Sequence, residues 1–506
     1  MSHTPLLLLA LCCVSLFAET RPNFVFILAD DLGYGEVGFN GQKIIRTPHV
    51  DRLAREGMIL TRHYSGNAVC APSRTVLMTG YNPGHAPTRD NRDIGNREQN
   101  PLPAGIATLP ASLKQAGYAT GAFGKWGMGG FDSTGNPLKQ GFDRFLGVTS
   151  QWVAHSHYPP FIQDDGVKVP LDNGPDGAPG HGVFPADADP RDPKAYAPFI
   201  GKDFSSDRTI AGAEAFIAAH KDKPFFLYYA SPLPHVALQV PPEELKQYEG
   251  VIQEDAPYAP KKGGYSPNRT PRTTYAAMIS RLDKEVGRIL AALEKAGVAD
   301  NTVIVFTGDN GATHDVGGVE TKYFNSSAGL KGLKGSLHEG GIREPTVVRW
   351  PAGIKAGTRS HRISGFEDWF ATFAELAGSK LQRDKHWSSE SLVPAFKGTD
   401  APRAAPLYRE FPGYGSQQAI WDGKWKAIRT EMAKKAQAKA PIVTQLYDLD
   451  ADPNETTDLA AKFPEVVKEL EAKMAAARVP NPDFPLPGVD PLPATAGKGK
   501  KKAAKK

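Results

Sequence analysis

Two pairs of oxygen donors stand at the ends of two apolar runs: Asp30-Asp31 closes NFVFILAD (23–30), and Asp309-Asn310 closes TVIVFTGD (302–309). Three carboxylates and one amide oxygen gathered at one place repel one another unless a cation neutralises them. Hard oxygen donors of this kind select Ca2+ or Mg2+. A capping turn accounts for either pair alone; two pairs at the ends of separate strands favour a metal. A third apolar run, PFFLYYAS (224–231), leads into Pro234-His235 and adds an imidazole at a comparable position.

Cys70 is the next feature to explain. The chain has three cysteines, and Cys12 and Cys13 lie in an apolar leader, so Cys70 has no intramolecular partner once the leader is removed. A solitary thiol is either a small buried hydrophobe or a reactive group. The residues that follow, APSRTVLMTG, predict a short helix with Pro72 in its first turn and Gly80 just past its end. Cys70 then sits at a helix N-terminus, where free N–H groups favour an anion, and Arg74 follows one turn later.

Two other motifs are excluded. Gly33-Tyr34-Gly35-Glu36-Val37-Gly38 spells GxGxxG, but two carboxylates precede it and FNGQKIIRTP follows where a dinucleotide-binding helix must begin. Asp448-x-Asp450-x-Asp452 opens like a calcium loop, yet Pro453 stands at the glycine position and Leu459 at that of the bidentate glutamate.

The elements that must position these residues follow from continuous rather than alternating apolar runs, the pattern of parallel strands covered on both faces. Between them lie the helical patterns HVDRLAREG (49–57), LPASLKQAG (109–117) and YAAMISRLDKEVGRILAALEKAG (275–297). Strand and helix alternate, which predicts an α/β, doubly wound, mostly parallel sheet with helices on both faces. Ligands bind such sheets at the carboxyl ends of the strands, where the donors lie.

From about 376 the pattern changes to short strands (418–430 and 444–449) and a helix beginning at Pro464. That helix carries Val466, Val467, Leu470 and Met474 on one side, as in a smaller α+β subdomain. The Gly/Pro/Asp-rich stretch 162–203 predicts an elaborated loop near a site.

The expected organisation is a signal peptide (1–18), a catalytic domain (19–375), a C-terminal subdomain (376–480) and a disordered basic tail (481–506). The leader PLLLLALCCVSLFA (5–18) is too short to span a bilayer and predicts a secreted or periplasmic protein. No later run is long enough for a membrane span. The formal charge of +5 is misleading, because six lysines lie in the tail, so the body is near neutral and no nucleic-acid partner is expected.

Cys70, Pro72, Ser73, Arg74, Thr79 and Gly80 form C-x-P-S-R-x(4)-T-G, which resembles the signature of type I sulfatases. In that family the cysteine is converted to Cα-formylglycine by a sulfatase-maturing enzyme, which would explain the solitary thiol as a precursor. The resemblance implies the alkaline phosphatase-like fold. PNFVFILADDLGYGEVGFNG is similar to the family's first strand and metal loop. GYATGAFGKWGMGG (117–130) is similar to its second signature, with Lys125 in the lysine position. PFFLYYASPLPH places His235, FTGDNG places Asp309 and Asn310, LKGSLHEGGIREP places Lys334, and LYDLDADPNETTDLA (446–460) is similar to the C-terminal domain.

By that resemblance, one Ca2+, with Mg2+ second, is held by Asp30, Asp31, Asp309, Asn310 and formylglycine 70. Arg74 and Lys125 hold the nucleophile's oxygens, Lys334 neutralises the sulfate, and His235 protonates the leaving oxygen. Two positions depart from the pattern. Gly127 stands where the second signature has a histidine; His155, in VAHSHYPPF, is the expected substitute and His157 the reserve. His338 stands where an aromatic residue is usual. His314 is expected to contact substrate.

The implied activity is hydrolysis of a sulfate monoester, with a sulfated carbohydrate the expected substrate. The alternatives are a phosphoester or phosphonate hydrolase of the same fold, or an inactive protein that binds sulfated polymers.

Overall fold

The computed structural model describes residues 21–95, 98–380 and 384–491. The leader and the lysines of the tail lie outside the described residues.

Among these residues ten strands form one mixed sheet, in the order Thr358–Ser360, Met58–Leu60, Thr346–Arg349, Thr302–Gly308, Asn23–Ala29, Phe225–Ala230, Ala119–Lys125, Arg144–Val148, Phe161–Asp164 and Val167–Pro170. The five strands from Thr302–Gly308 to Arg144–Val148 are parallel. Thr346–Arg349 and the hairpin Phe161–Pro170 are antiparallel additions at either side.

Alternation along the central strand divides the core. Val25, Ile27 and Ala29 pack towards helices Pro48–Glu56, Ser205–His220 and Pro271–Lys295. Phe24, Phe26 and Leu28 pack towards Cys70–Thr79, Leu109–Gln115 and Asp368–Ala377. All six are fully buried, and each larger side chain contributes about 1.5–3 kcal/mol in removing apolar surface from water. Burial on both faces is the reason for the uninterrupted apolar runs.

Register places the donors. Ala29 lies opposite Gly308 and Leu28 opposite Ala230. The ladder continues one residue further, the Asp309 N–H donating to the Ala29 carbonyl and the Asp30 N–H to that of Leu233, each at 2.9 Å. Asp30, Asp31, Asp309 and Asn310 therefore meet at one edge, and Lys125 ends the strand on the far side of Phe225–Ala230.

The second sheet is antiparallel, in the order Leu407–Phe411, Gln417–Asp422, Trp425–Arg429 and Gln445–Asp448. The segment 418–430 is a hairpin turning at Gly423, whose φ is +57°, and Leu407–Phe411 is a strand the sequence left unassigned. Helix Pro464–Ala476 buries Leu470 and Met474 against this sheet, with Val466 and Val467 at the margin. Helix Asp368–Ala377 crosses the expected boundary at 375 and packs on the main sheet. The tail was expected from 481, but Phe484 and Leu486 are buried and Asp490 pairs with Arg478. No helix among the described residues is long and apolar enough to cross a membrane.

The two excluded motifs serve packing. A Cβ on Gly33 would lie 2.4 Å from the Ser326 carbonyl, and one on Gly35 2.3 Å from that of Asn325, so both glycines permit close approach of the 325–328 segment. Asp448 and Asp452 accept backbone N–H groups of their own turn.

Candidate active site

Cys70 is the first residue of helix Cys70–Thr79, every residue of which is buried. Its Sγ lies 3.4 Å from Asp30 Oδ1, 4.0 Å from Asp31 Oδ1, and 3.8 Å from both Lys125 Nζ and Lys334 Nζ. Burial, then the charge of Asp30, push the thiol's pKa upward, so the unmodified cysteine is held neutral.

Arg74, one turn on, donates from Nε and Nη2 to Asp309 Oδ2 at 3.0 and 2.8 Å. Its Nη1 donates to the Lys125 carbonyl at 2.6 Å, and Nη2 lies 3.3 Å from Asp30 Oδ2. The resemblance implies that Arg74 holds the nucleophile's oxygens; its fork also clasps Asp309 and ties helix to strand. Lys125 lies 2.5 Å from Asp30 Oδ2, and Lys334 lies 2.7 Å from Asp31 Oδ1. Three carboxylates are thus balanced by three cations within the pocket. Burial tends to raise Asp30, but Lys125, His235, Arg74 and Lys334 together hold it below the usual carboxylate range. Asp309 is pushed up to about 6 by burial and by Asp30.

The carboxylates of Asp30 and Asp31 suit a hard cation; Asp309, an expected ligand, is not in the converging group, its Oδ2 being held by Arg74. Asp30, Asp31, Cys70 and His235 offer ligand atoms all within 4.8 Å of one another. Asn310 donates its amide N–H to Asp31 Oδ1 at 2.8 Å, while its Oδ1 is buried without a hydrogen-bond partner. A lone pair so placed is costly unless something binds it.

Three histidines, His235, His155 and His181, lie in a row beside this cluster, and their tautomers follow from carbonyl partners, which can only accept. His235 Nδ1 donates to the Val236 carbonyl, leaving Nε2 as the lone-pair nitrogen, 3.6 Å from Asp31 Oδ2. His181 Nδ1 donates to the Gly264 carbonyl at 3.2 Å, so its Nε2 accepts from His155 Nδ1 at 2.8 Å, and His155 Nε2 is also unprotonated. The His155 and His235 rings are in contact. Burial, then Lys334, lower the pKa of His235, and burial, then His235, lower that of His155.

His157, the reserve candidate, is fully buried, stacks on Phe204, and its Nε2 donates to the His235 carbonyl at 2.8 Å. It supports the loop and does not face the cluster. At Gly127, φ is +79° and a Cβ would meet Gln151 Nε2 at 2.8 Å. A histidine there is opposed by both backbone and neighbour. His314 lies at the rim, its Nε2 3.2 Å from the Tyr414 hydroxyl. His338 pairs with Glu455 at 3.0 Å, within a buried network in which Lys426 bridges Glu339 and Glu455 between the two sheets.

Three residues here were not identified from sequence: His181, Tyr265 and Tyr414. His181 lies in the 162–203 loop, where composition alone marked proximity to a site. Neither tyrosine carries a local signal.

Comparison with known proteins gives a consistent picture. A family model described as Sulfatase matches residues 22–379, and one described as N-sulphoglucosamine sulphohydrolase, C-terminal, matches residues 333–480. Arylsulfatase A of Homo sapiens is 30% identical over 96% of this chain and 94% of its own. N-acetylgalactosamine-6-O-sulfatase of Bacteroides thetaiotaomicron is 29% identical over 90% and 93%. The solved structure of Ps i-CgsB in complex with k-i-k-neocarrahexaose is 28% identical, with a TM-score of 0.73 over 90% of this chain and 92% of that one.

Proposed function

Since the chain belongs to the sulfatase family, in the alkaline phosphatase-like superfamily, and is a sulfuric ester hydrolase, we propose that it desulfates a carbohydrate by means of formylglycine at position 70. The observation that carries this reading is the surroundings of Cys70. A neutral, buried thiol between two aspartates and two lysines is a poor nucleophile but is ideally placed as the precursor of one. The carbohydrate is supported by the N-acetylgalactosamine-6-O-sulfatase relative and by the neocarrahexaose complex. A leader and a maturing enzyme acting on Cys70 complete the proposal of an exported enzyme.

Asp30, Asp31, Asp309 and Asn310 would hold one divalent cation, Ca2+ by family resemblance. When bound it would polarise the ester and lower the pKa of a hydroxyl at position 70. The hydrated aldehyde would supply that hydroxyl as nucleophile.

The chain's own residues do the rest. The three cations already balance the three aspartates, so the charge of a bound metal would be left for an anionic ester and an ionised nucleophile. Arg74 fixes Asp309 and keeps it from turning away. Lys125 and Lys334, on either side of position 70, hold nucleophile and sulfate in line. His235 donates a proton from Nε2 to the leaving oxygen. Burial and Lys334 disfavour its imidazolium; the negative charge of a bound sulfate would act in the opposite direction.

Among the described residues one cluster of His, Cys, Asp and Glu could hold a metal. This gives no support to a two-metal phosphomonoesterase.

Mass spectrometry of the tryptic peptide His63–Arg74, from a host that converts a control sulfatase, tests the proposal. An aldehyde at Cys70 supports it. A thiol, together with no turnover of any sulfate ester, overturns it in favour of a binding protein.

A further inference from the structure

Two tyrosines from different parts of the fold form the mouth of the pocket. Tyr414 lies in the turn between strands Leu407–Phe411 and Gln417–Asp422 of the second sheet. It is 60% exposed and its φ is +47°, a conformation that costs a bulky residue on the order of 1–3 kcal/mol and is retained chiefly at functional sites. Its ring lies on Gly335, beside Lys334; a Cβ at Gly335, where φ is +81°, would be 2.6 Å from that ring. Gln417 fixes this arrangement, donating to the Gly335 carbonyl at 2.6 Å and accepting from the Leu337 N–H at 3.0 Å.

Tyr265 approaches beside the histidines, from strand Gly264–Tyr265. It stands edge-on to His235 and His155, with centroids 6.2 and 5.6 Å away, and stacks on His181 at 4.6 Å. Both tyrosine hydroxyls lie within electrostatic reach of Lys334, Asp31 and Cys70, and that of Tyr265 also within reach of Tyr414. Beyond Tyr265 a cleft of about 590 Å3 opens towards Tyr258 and residues 316–319.

We propose that Tyr265 and Tyr414, one from the main sheet's loops and one from the second sheet, grip the sugar ring that carries the scissile sulfate, with the next sugar in the cleft. This rests on the carbohydrate reading above. A sugar has an apolar C–H face and a hydroxyl edge, and a phenol offers the matching pair of surfaces. Tyr414 stacks on the core residue Phe411 and leaves the rest of its ring exposed, where it can cover a ligand seated at Lys334. A small aryl sulfate has no sugar ring to set against the two phenols.

The test compares kcat/KM on 4-nitrocatechol sulfate with that on sulfated oligosaccharides from ι-carrageenan and from chondroitin 6-sulfate. Tyr414→Ala and Tyr265→Ala should each lose at least tenfold more on the responsive glycan than on the aryl ester, mainly through KM. Tyr414→Phe should recover most of that loss. Unchanged melting temperatures separate the effect from unfolding. Equal losses on both substrates overturn the proposal alone. A wild-type enzyme that cleaves the aryl ester and neither glycan overturns the carbohydrate reading, and the proposal with it.

Discussion

The imidazoles of His155 and His235 stack with ring centroids 4.8 Å apart and planes 10° from parallel. Each has its Nδ1 proton committed, one to His181 and one to the Val236 carbonyl. Both therefore present an Nε2 lone pair to the pocket, and a proton on one raises the cost of a proton on the other. His235 is the nearer of the two to the carboxylates, its Nε2 3.6 Å from Asp31 Oδ2.

His235→Ala should lower kcat by about 10²–10⁴, the usual range for losing a general acid, and more for an alkyl or sugar ester than for a good aryl leaving group. His155→Ala should cost less, because His155 stays neutral and, unlike His235, is not among the residues whose donor atoms converge with the carboxylates. Rates for two leaving groups across pH check both; equal sensitivity to leaving group in wild type and His235→Ala would remove His235 from the acid's role.

Chelation should abolish turnover, and Ca2+ should restore it. Independently of activity, Ca2+ at a hundredfold excess over its Kd should stabilise the fold by about 2.7 kcal/mol, by mass action. Thermal melts with and without Ca2+ check this. The shift should vanish in Asp31→Ala and shrink in Asn310→Ala, whose Oδ1 is the buried acceptor without a partner.

Gly127→His should fold poorly. The left-handed backbone costs a non-glycine residue about 1–3 kcal/mol, and the new Cβ would meet Gln151 at 2.8 Å. Adding Gln151→Ala should recover the steric part and leave the backbone part. Melting temperatures of the single and double variants give the split; no recovery would show that the neighbour is not the obstacle.

His63 predicts an acid-sensitive fold. Its Nε2 accepts from Trp369 Nε1 at 3.0 Å, and its Nδ1 bonds Ser364 Oγ at 2.8 Å. Burial, then Arg409, lower its pKa from 6.5 to about 3. Below pH 6.5 the unfolded chain takes up a proton that the folded one refuses, so stability present at neutral pH is lost as pH falls. The loss between pH 7 and pH 5 is about 2 kcal/mol. Denaturant midpoints of wild type and His63→Gln across that range check it; parallel slopes would contradict it.

How much of this was legible in the sequence depended on whether the signal was local. Continuous apolar runs marked the three central strands, and Pro72 with Gly80 bounded the helix that begins at Cys70. Asp30 and Asp309 could be paired because parallel strands put their ends at one edge. The partners of Arg74 could not be read, since they depend on the register Ala29 to Gly308, nor could His181 and Tyr414, which reach the site on a loop and a turn placed only by tertiary packing. Strand Leu407–Phe411 was missed for a related reason: LYREF carries buried Arg409 and Glu410, whose charges disguise a core strand until their partners Glu367, Arg89 and Arg478 are seen.

Cys70 is 1% exposed, and its helix is walled in along its whole length. If Cys70 is converted to formylglycine as proposed, the finished fold leaves a converting enzyme no access to it, so conversion would have to precede the closing of the core around this helix. A chain that folded first would keep its thiol and stay silent.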